Sequence, residues 1–164
     1  DVKVAAMSSA VERAGGTATA LRSSIDVLAA AARAGSVDRE EVWLEYYRTL
    51  LFGRAGLKDP GLRAEASAIV AEERSRIVIP EGELLAAHSE DLRRWRLPPA
   101  PRLSAERLRF FIGQEDPVFS DAQTEAFARV FGAPGIARYP AQGHLLFLTR
   151  PQVFDDVLEF FEAD

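Results

Sequence analysis

The chain contains no cysteine and a single methionine in its 164 residues. Without thiols there is no disulfide framework and no thiolate metal site, and only two histidines remain as possible ligands. Long apolar runs are missing as well. None approaches the ~18 residues of a bilayer span, and the first residues lack the basic-then-apolar layout of a signal peptide. Basic residues number 20 against 25 acidic and are scattered, so the formal charge of -5 leaves no electrostatic footprint for nucleic acid or an anionic membrane. What remains, 48% hydrophobic, reads as ordinary globular material of about one domain.

Punctuation residues divide the chain. The apolar, β-branched run of Val2, Val4, Ala5, Ala6 and Met7 predicts a buried strand. Past Gly15 and Gly16, Leu21, Ile25, Leu28 and Ala32 recur at helical steps until Gly35. Asp38 is placed to cap a second helix, with Glu40 and Glu41 in its first turn, Val42, Tyr46 and Leu50 as its apolar stripe, and an end near Gly53. Ala- and Glu-rich stretches predict further helices over 62–76, with Ile69 inward, and over 83–95. Pro98, Pro99 and Pro101 mark a linker, because proline fits neither a helix interior nor a central strand. After it come a strand over 108–112, a helix over 121–131, a short strand over 135–139 and a helix over 151–161. That alternation is the order of a parallel sheet.

Two loops in this last part carry chemistry. Phe110, Phe111 and Ile112 form a buried strand that ends in Gly113 and is followed by Asp116 and Pro117. The loop after the next strand runs Tyr139, Pro140, Ala141, Gln142, Gly143 and then His144. In open α/β sheets the loops leaving the C-terminal strand ends converge on one crevice, so both side chains are expected at the same edge. A carboxylate beside an imidazole there can fix its tautomer and stabilise the imidazolium as it forms.

Gly113-Gln114-Glu115-Asp116, then Gly143-His144, then Arg150-Pro151 opening a last helix, resemble the C-terminal region of the α/β-hydrolases. The resemblance spans essentially the whole chain, with 2–7 matching the sixth strand, 108–112 the seventh and 135–139 the eighth. It implies an α/β fold: the C-terminal part of a parallel sheet of about three strands, with a helical cap insertion, completed by a missing N-terminal part. Residues 1–10 would be a core strand, 11–97 the cap and 98–164 the C-terminal core with the acid and histidine loops. In that family the nucleophile stands on a G-x-S-x-G elbow, and no such motif occurs in this sequence. The resemblance therefore implies a partner: the N-terminal half of the same hydrolase, as a separate chain or missing segment, bearing the nucleophile and oxyanion-hole loop. The near-exclusive use of Arg over Lys points, by association, to a GC-rich bacterial source.

The expected activity is hydrolysis of an ester or amide bond in a small-molecule substrate by a Ser-His-Asp triad in which Asp116 orients His144, with no metal or organic cofactor. Acyltransferase or lyase chemistry and a non-catalytic binding or assembly role stand as alternatives. Glu115, next to the acid, is expected to face solvent. Trp43, Tyr46, Tyr47 and Phe119 are candidates for lining a substrate pocket, although an aromatic stripe such as Trp43, Tyr46, Tyr47, Leu50, Leu51 and Phe52 is more often helix-packing core. Ser8 and Ser9 sit at a strand end on the active-site edge, where they could touch substrate; without an elbow neither is a nucleophile, and loop capping is the favoured role, while His88 is given none.

Overall fold

The computed structural model describes residues 2–8, 35, 38–79, 83, 87 and 104–163. The expected helix before Gly35, most of that over 83–95, the linker at 98–101, Ser9 and His88 lie outside them. In chain order the described elements are β1 (Val4–Met7), α1 (Arg39–Gly56), α2 (Pro60–Glu73), β2 (Leu108–Gly113), α3 (Asp121–Val130), β3 (Gly135–Tyr139), α4 (Leu146–Thr149) and α5 (Val153–Glu162). The three strands form one parallel sheet in the order β1-β2-β3. Among the described residues no helix is long and apolar enough to cross a membrane.

β2 is central because it is apolar on both faces, the requirement for a parallel strand covered on two sides. Leu108, Phe110 and Ile112 pack on Ala128 of α3, while Phe111 turns the other way onto Leu146, Val153 and Phe160. Burying each of these large side chains contributes roughly 1.5–3 kcal/mol. β1 departs from the expectation of a buried strand: Val2 is 67% and Val4 37% exposed. The reason is its place in the sheet, for among the described residues only β2 pairs with it. The opposite edge is braced by charge. Arg138 on β3 reaches Asp121 at 2.9 Å and Glu125 at 2.7 Å, both on α3.

The helix starts follow their caps. Asp38 accepts from the Glu40 N–H at 2.7 Å, and Ser120 and Gln123 form a reciprocal capping box on α3. α2 begins two residues before the expected 62, because Asp59 accepts from the Gly61 and Leu62 N–H groups and Pro60 is pre-shaped for the first turn. α5 begins at Val153 rather than 151, since Arg150 to Gln152 are used in the turn leading into it. α1 buries Leu44, Leu51 and Phe52, not the expected Val42, Tyr46 and Leu50, which are half-buried. α1 is apolar around much of its circumference, so a 3.6-residue period did not by itself select the face that meets α2.

A kink in α1 ties it to the sheet. Gly53 takes φ 69° and ψ 170°, outside helical values and in a region that favours glycine. In an unbroken helix the Leu50 and Leu51 carbonyls would receive N–H groups four residues on. Here they receive Leu145 N–H at 3.1 Å and Gly143 N–H at 2.7 Å from the loop after β3. Contact is main chain against main chain: a Cβ on Gly143 would stand 2.4 Å from the Leu50 carbonyl oxygen, and one on Gly53 2.3 Å from that of Glu115. At the end of β2, a Cβ on Gly113 would stand 2.2 Å from the Gly143 oxygen.

A methyl group therefore has no room at this seam and ordinary van der Waals room at Gly135. Gly113→Ala is expected to lower unfolding free energy by about 2–4 kcal/mol. Gly135→Ala, whose nearest new neighbour would be 3.5 Å away, is expected to change it by less than about 1 kcal/mol. Urea denaturation of the two variants checks the contrast, and equal effects would remove the seam from the account.

Candidate active site

The strand register sets the site. Gly113 is paired with Tyr139 and Met7 with Phe111, so the chain leaves all three strands at one edge of the sheet. Gln114 N–H donates to the Tyr139 carbonyl at 3.0 Å and Glu115 N–H to that of Gln142 at 2.9 Å, which zips the acid loop to the histidine loop beyond the strands.

Asp116 follows. Its side chain is only 1% exposed, and burial of a carboxylate demands partners for its oxygens. Oδ1 accepts from Val118 N–H at 2.7 Å and Phe119 N–H at 3.0 Å, a local turn that fixes the group. Oδ2 is left for His144, whose Nδ1 lies 2.9 Å away. With the carboxylate accepting, Nδ1 carries the proton and Nε2 presents its lone pair. The imidazole keeps 24% of its surface, and among the described residues nothing hydrogen-bonds Nε2. A group so arranged can take a proton from a reactant and return it.

His144 is held by its main chain as well. The flanking N–H groups of Gly143 and Leu145 are bonded to α1, as above, and its own carbonyl accepts from Ser8 Oγ at 2.6 Å. The Phe119 ring lies 5.8 Å from the imidazole, tilted by 54°.

No protein-family profile matches the sequence, and no curated protein matches it either. Among solved structures, a thermophilic esterase from Thermogutta terrifontis, solved with malate bound, aligns with 96% of this chain at a TM-score of 0.55 and 15% identity. The likeness is one of fold. The chain is α/β, with a three-stranded parallel sheet and helices consistent with an esterase-like architecture, and it spans about half (54%) of that esterase's length.

Of the residues singled out from sequence, the structure brings Asp116, His144 and Phe119 together. Trp43 and Tyr46 contact each other on α1, ring centroids 5.4 Å apart, whereas Tyr47 packs against the helical core formed by Leu44, Leu51 and Ala66. Leu51 and Phe52 are core outright, with 0% and 1% exposure. Glu115, expected to face solvent, is half-buried, because its backbone is pressed between Gly53 and the histidine loop. The α1 carbonyls are site-holding groups that the sequence did not single out, and a kink glycine inside an apolar helix is the signal that could have drawn attention to them. Ser8, expected at a strand end as a loop cap, bonds to the His144 carbonyl.

Tyr46 reports on this geometry. Burial, and then the negative charge of Asp116, push its phenol from 10.0 up to about 12. Folding thus holds a proton that the unfolded chain has lost. The resulting stabilisation is whole below about pH 10 and disappears as pH rises through about 12. Asp116→Asn removes the second cause and keeps the first. The Tyr46 ring-carbon titration followed by NMR is expected to move down from the wild-type midpoint yet stay above 10.0; an unmoved midpoint would separate Tyr46 from the acid.

Proposed function

We propose that the chain supplies the acid and base of an acyl-transfer hydrolase, His144 as general base and acid and Asp116 as its orienting carboxylate. The observation that carries this reading is the 2.9 Å bond between His144 Nδ1 and a buried Asp116 whose other oxygen is already engaged by two backbone N–H groups. A buried carboxylate held on two sides cannot swing away from the imidazole, so the Nε2 lone pair keeps one direction. The esterase-like architecture supports a substrate with a scissile ester or amide carbonyl.

In the proposed reaction a serine hydroxyl attacks the carbonyl carbon while Nε2 removes its proton, and the imidazolium returns that proton to the leaving alcohol or amine; water, deprotonated by the same Nε2, then attacks the acyl-serine, and the proton goes back to the serine oxygen as the acid leaves. Asp116 stabilises the imidazolium without accepting its proton. The serine belongs to a separate chain or N-terminal segment carrying G-x-S-x-G and the oxyanion donors. Support for such a complement comes from the edge of β1 that no strand pairs with among the described residues, with Val2 and Val4 exposed, and from the α5 side chains Phe154, Leu158 and Phe161, exposed at helical spacing. Residues 11–97 would then form the cap that selects substrate, with Trp43, Tyr46, Tyr47 and Phe119 as candidates for the pocket wall.

The chain by itself is expected to hydrolyse an activated ester such as p-nitrophenyl acetate at the background rate, and with its complement to turn it over. In the complemented enzyme His144→Ala is expected to lower kcat by about 10⁴-fold or more, and Asp116→Asn by about 10⁴-fold. Folding of each variant is checked by circular dichroism. Unchanged turnover in a folded His144→Ala enzyme would leave the chain a binding or assembly subunit instead.

A further inference from the structure

β1 ends in an uncommon way. Ser8 has φ 46°, a left-handed conformation that residues other than Gly, Asn and Asp adopt rarely. Its N–H still bonds to the Phe111 carbonyl at 3.0 Å, extending the ladder one step past Met7. In this conformation its side chain delivers Oγ to the His144 carbonyl at 2.6 Å. Strain of this kind persists where the surroundings over-determine it, and among the described residues that bond is the only one the Ser8 side chain makes.

The bond completes a set. α1 holds the N–H before His144 and the N–H after it, and Ser8 holds the carbonyl between them. The His144–Leu145 peptide is thus held at both its carbonyl and its N–H, and the chain just ahead of His144 at the Gly143 N–H, which steadies the backbone carrying the imidazole while Asp116 sets the ring itself. Among the described residues Ser8 forms no hydrogen bond with Asp116 or the imidazole, so it acts on the ring through the backbone.

We infer that Ser8 is a positioning residue: its hydroxyl, delivered by a left-handed turn at the end of β1, fixes the His144 main chain and thereby the line from Nδ1 to Asp116. The inference rests on reading His144 as the base, and it deepens that reading by making the outer strand of the sheet part of the base's mounting.

Two variants separate the hydroxyl from the turn. Ser8→Gly keeps the backbone shape at no steric cost and removes Oγ; Ser8→Ala removes Oγ and keeps the strain. The measurement is NMR of the isotopically labelled 164-residue chain, following solvent exchange of the His144 Nδ1 proton and of the Gly143 and Leu145 amides, with thermal melting alongside. Both variants are expected to speed exchange of the Nδ1 proton by about tenfold, the loss of one net hydrogen bond, while core amides such as Phe111 exchange as in wild type. Wild-type exchange in Ser8→Gly would overturn the proposal, leaving the turn and not the hydroxyl as the important feature. Equal acceleration at His144 and at Phe111 would overturn it too, by showing a general loss of stability. These readouts concern His144's position alone, so they stand or fall apart from the turnover of His144→Ala.

Discussion

Every peptide group in a buried loop needs a partner, and around His144 the loop does not provide its own. The N–H groups of Gly143 and Leu145 go to α1 and the His144 carbonyl to Ser8. That need shapes much of the surrounding structure. α1 must break at Gly53 so that two of its carbonyls are free, and the break seats Gly53 against Glu115. Gly113 and Gly143 must be bare so that the backbones can approach. The catalytic geometry proposed for this chain is held in place by main chain and then aimed by one carboxylate.

The division of labour has an electrostatic logic. A carboxylate as buried as Asp116 is costly unless its oxygens are bonded, and local N–H groups meet half of that demand before the imidazole meets the rest. The ring can therefore stay partly open to solvent on its Nε2 side without loosening on its Nδ1 side. The same negative charge acts on its surroundings, and with burial it keeps the Tyr46 phenol protonated well beyond its ordinary range.

Much of this was legible in the residues. Apolar side chains on both faces of 108–112, glycine at the strand end and an acid three residues later locate a strand and its loop by local rules alone. Gly143 and His144 after a second such strand do the same, and the register of a parallel sheet brings them to one edge. The cap at Asp38 was equally local. What stayed hidden depends on approach between distant segments. Nothing near Ser8 says that its hydroxyl will meet residue 144, and nothing in the α1 period says that its Leu44 and Leu51 side will be the covered one. β1 misled for a related cause: β-branched composition reports a taste for the sheet, not whether a strand has neighbours on one side or two.

The broken helix also bears on how such a chain could be rebuilt. Exchanging helical segments between related enzymes is a common way to change what they accept, and it works when the junctions fall where the graft and the host share nothing but a covalent link. Here the carbonyls of Leu50 and Leu51 belong by sequence to the helical region and by hydrogen bonding to the histidine loop. A chimera joined after Gly53 would import foreign main chain into the mounting of His144, whereas one joined ahead of Leu50 would leave that mounting with the host. The useful crossover point is set by where the backbone bonds cross, several residues inside the helix rather than at its end.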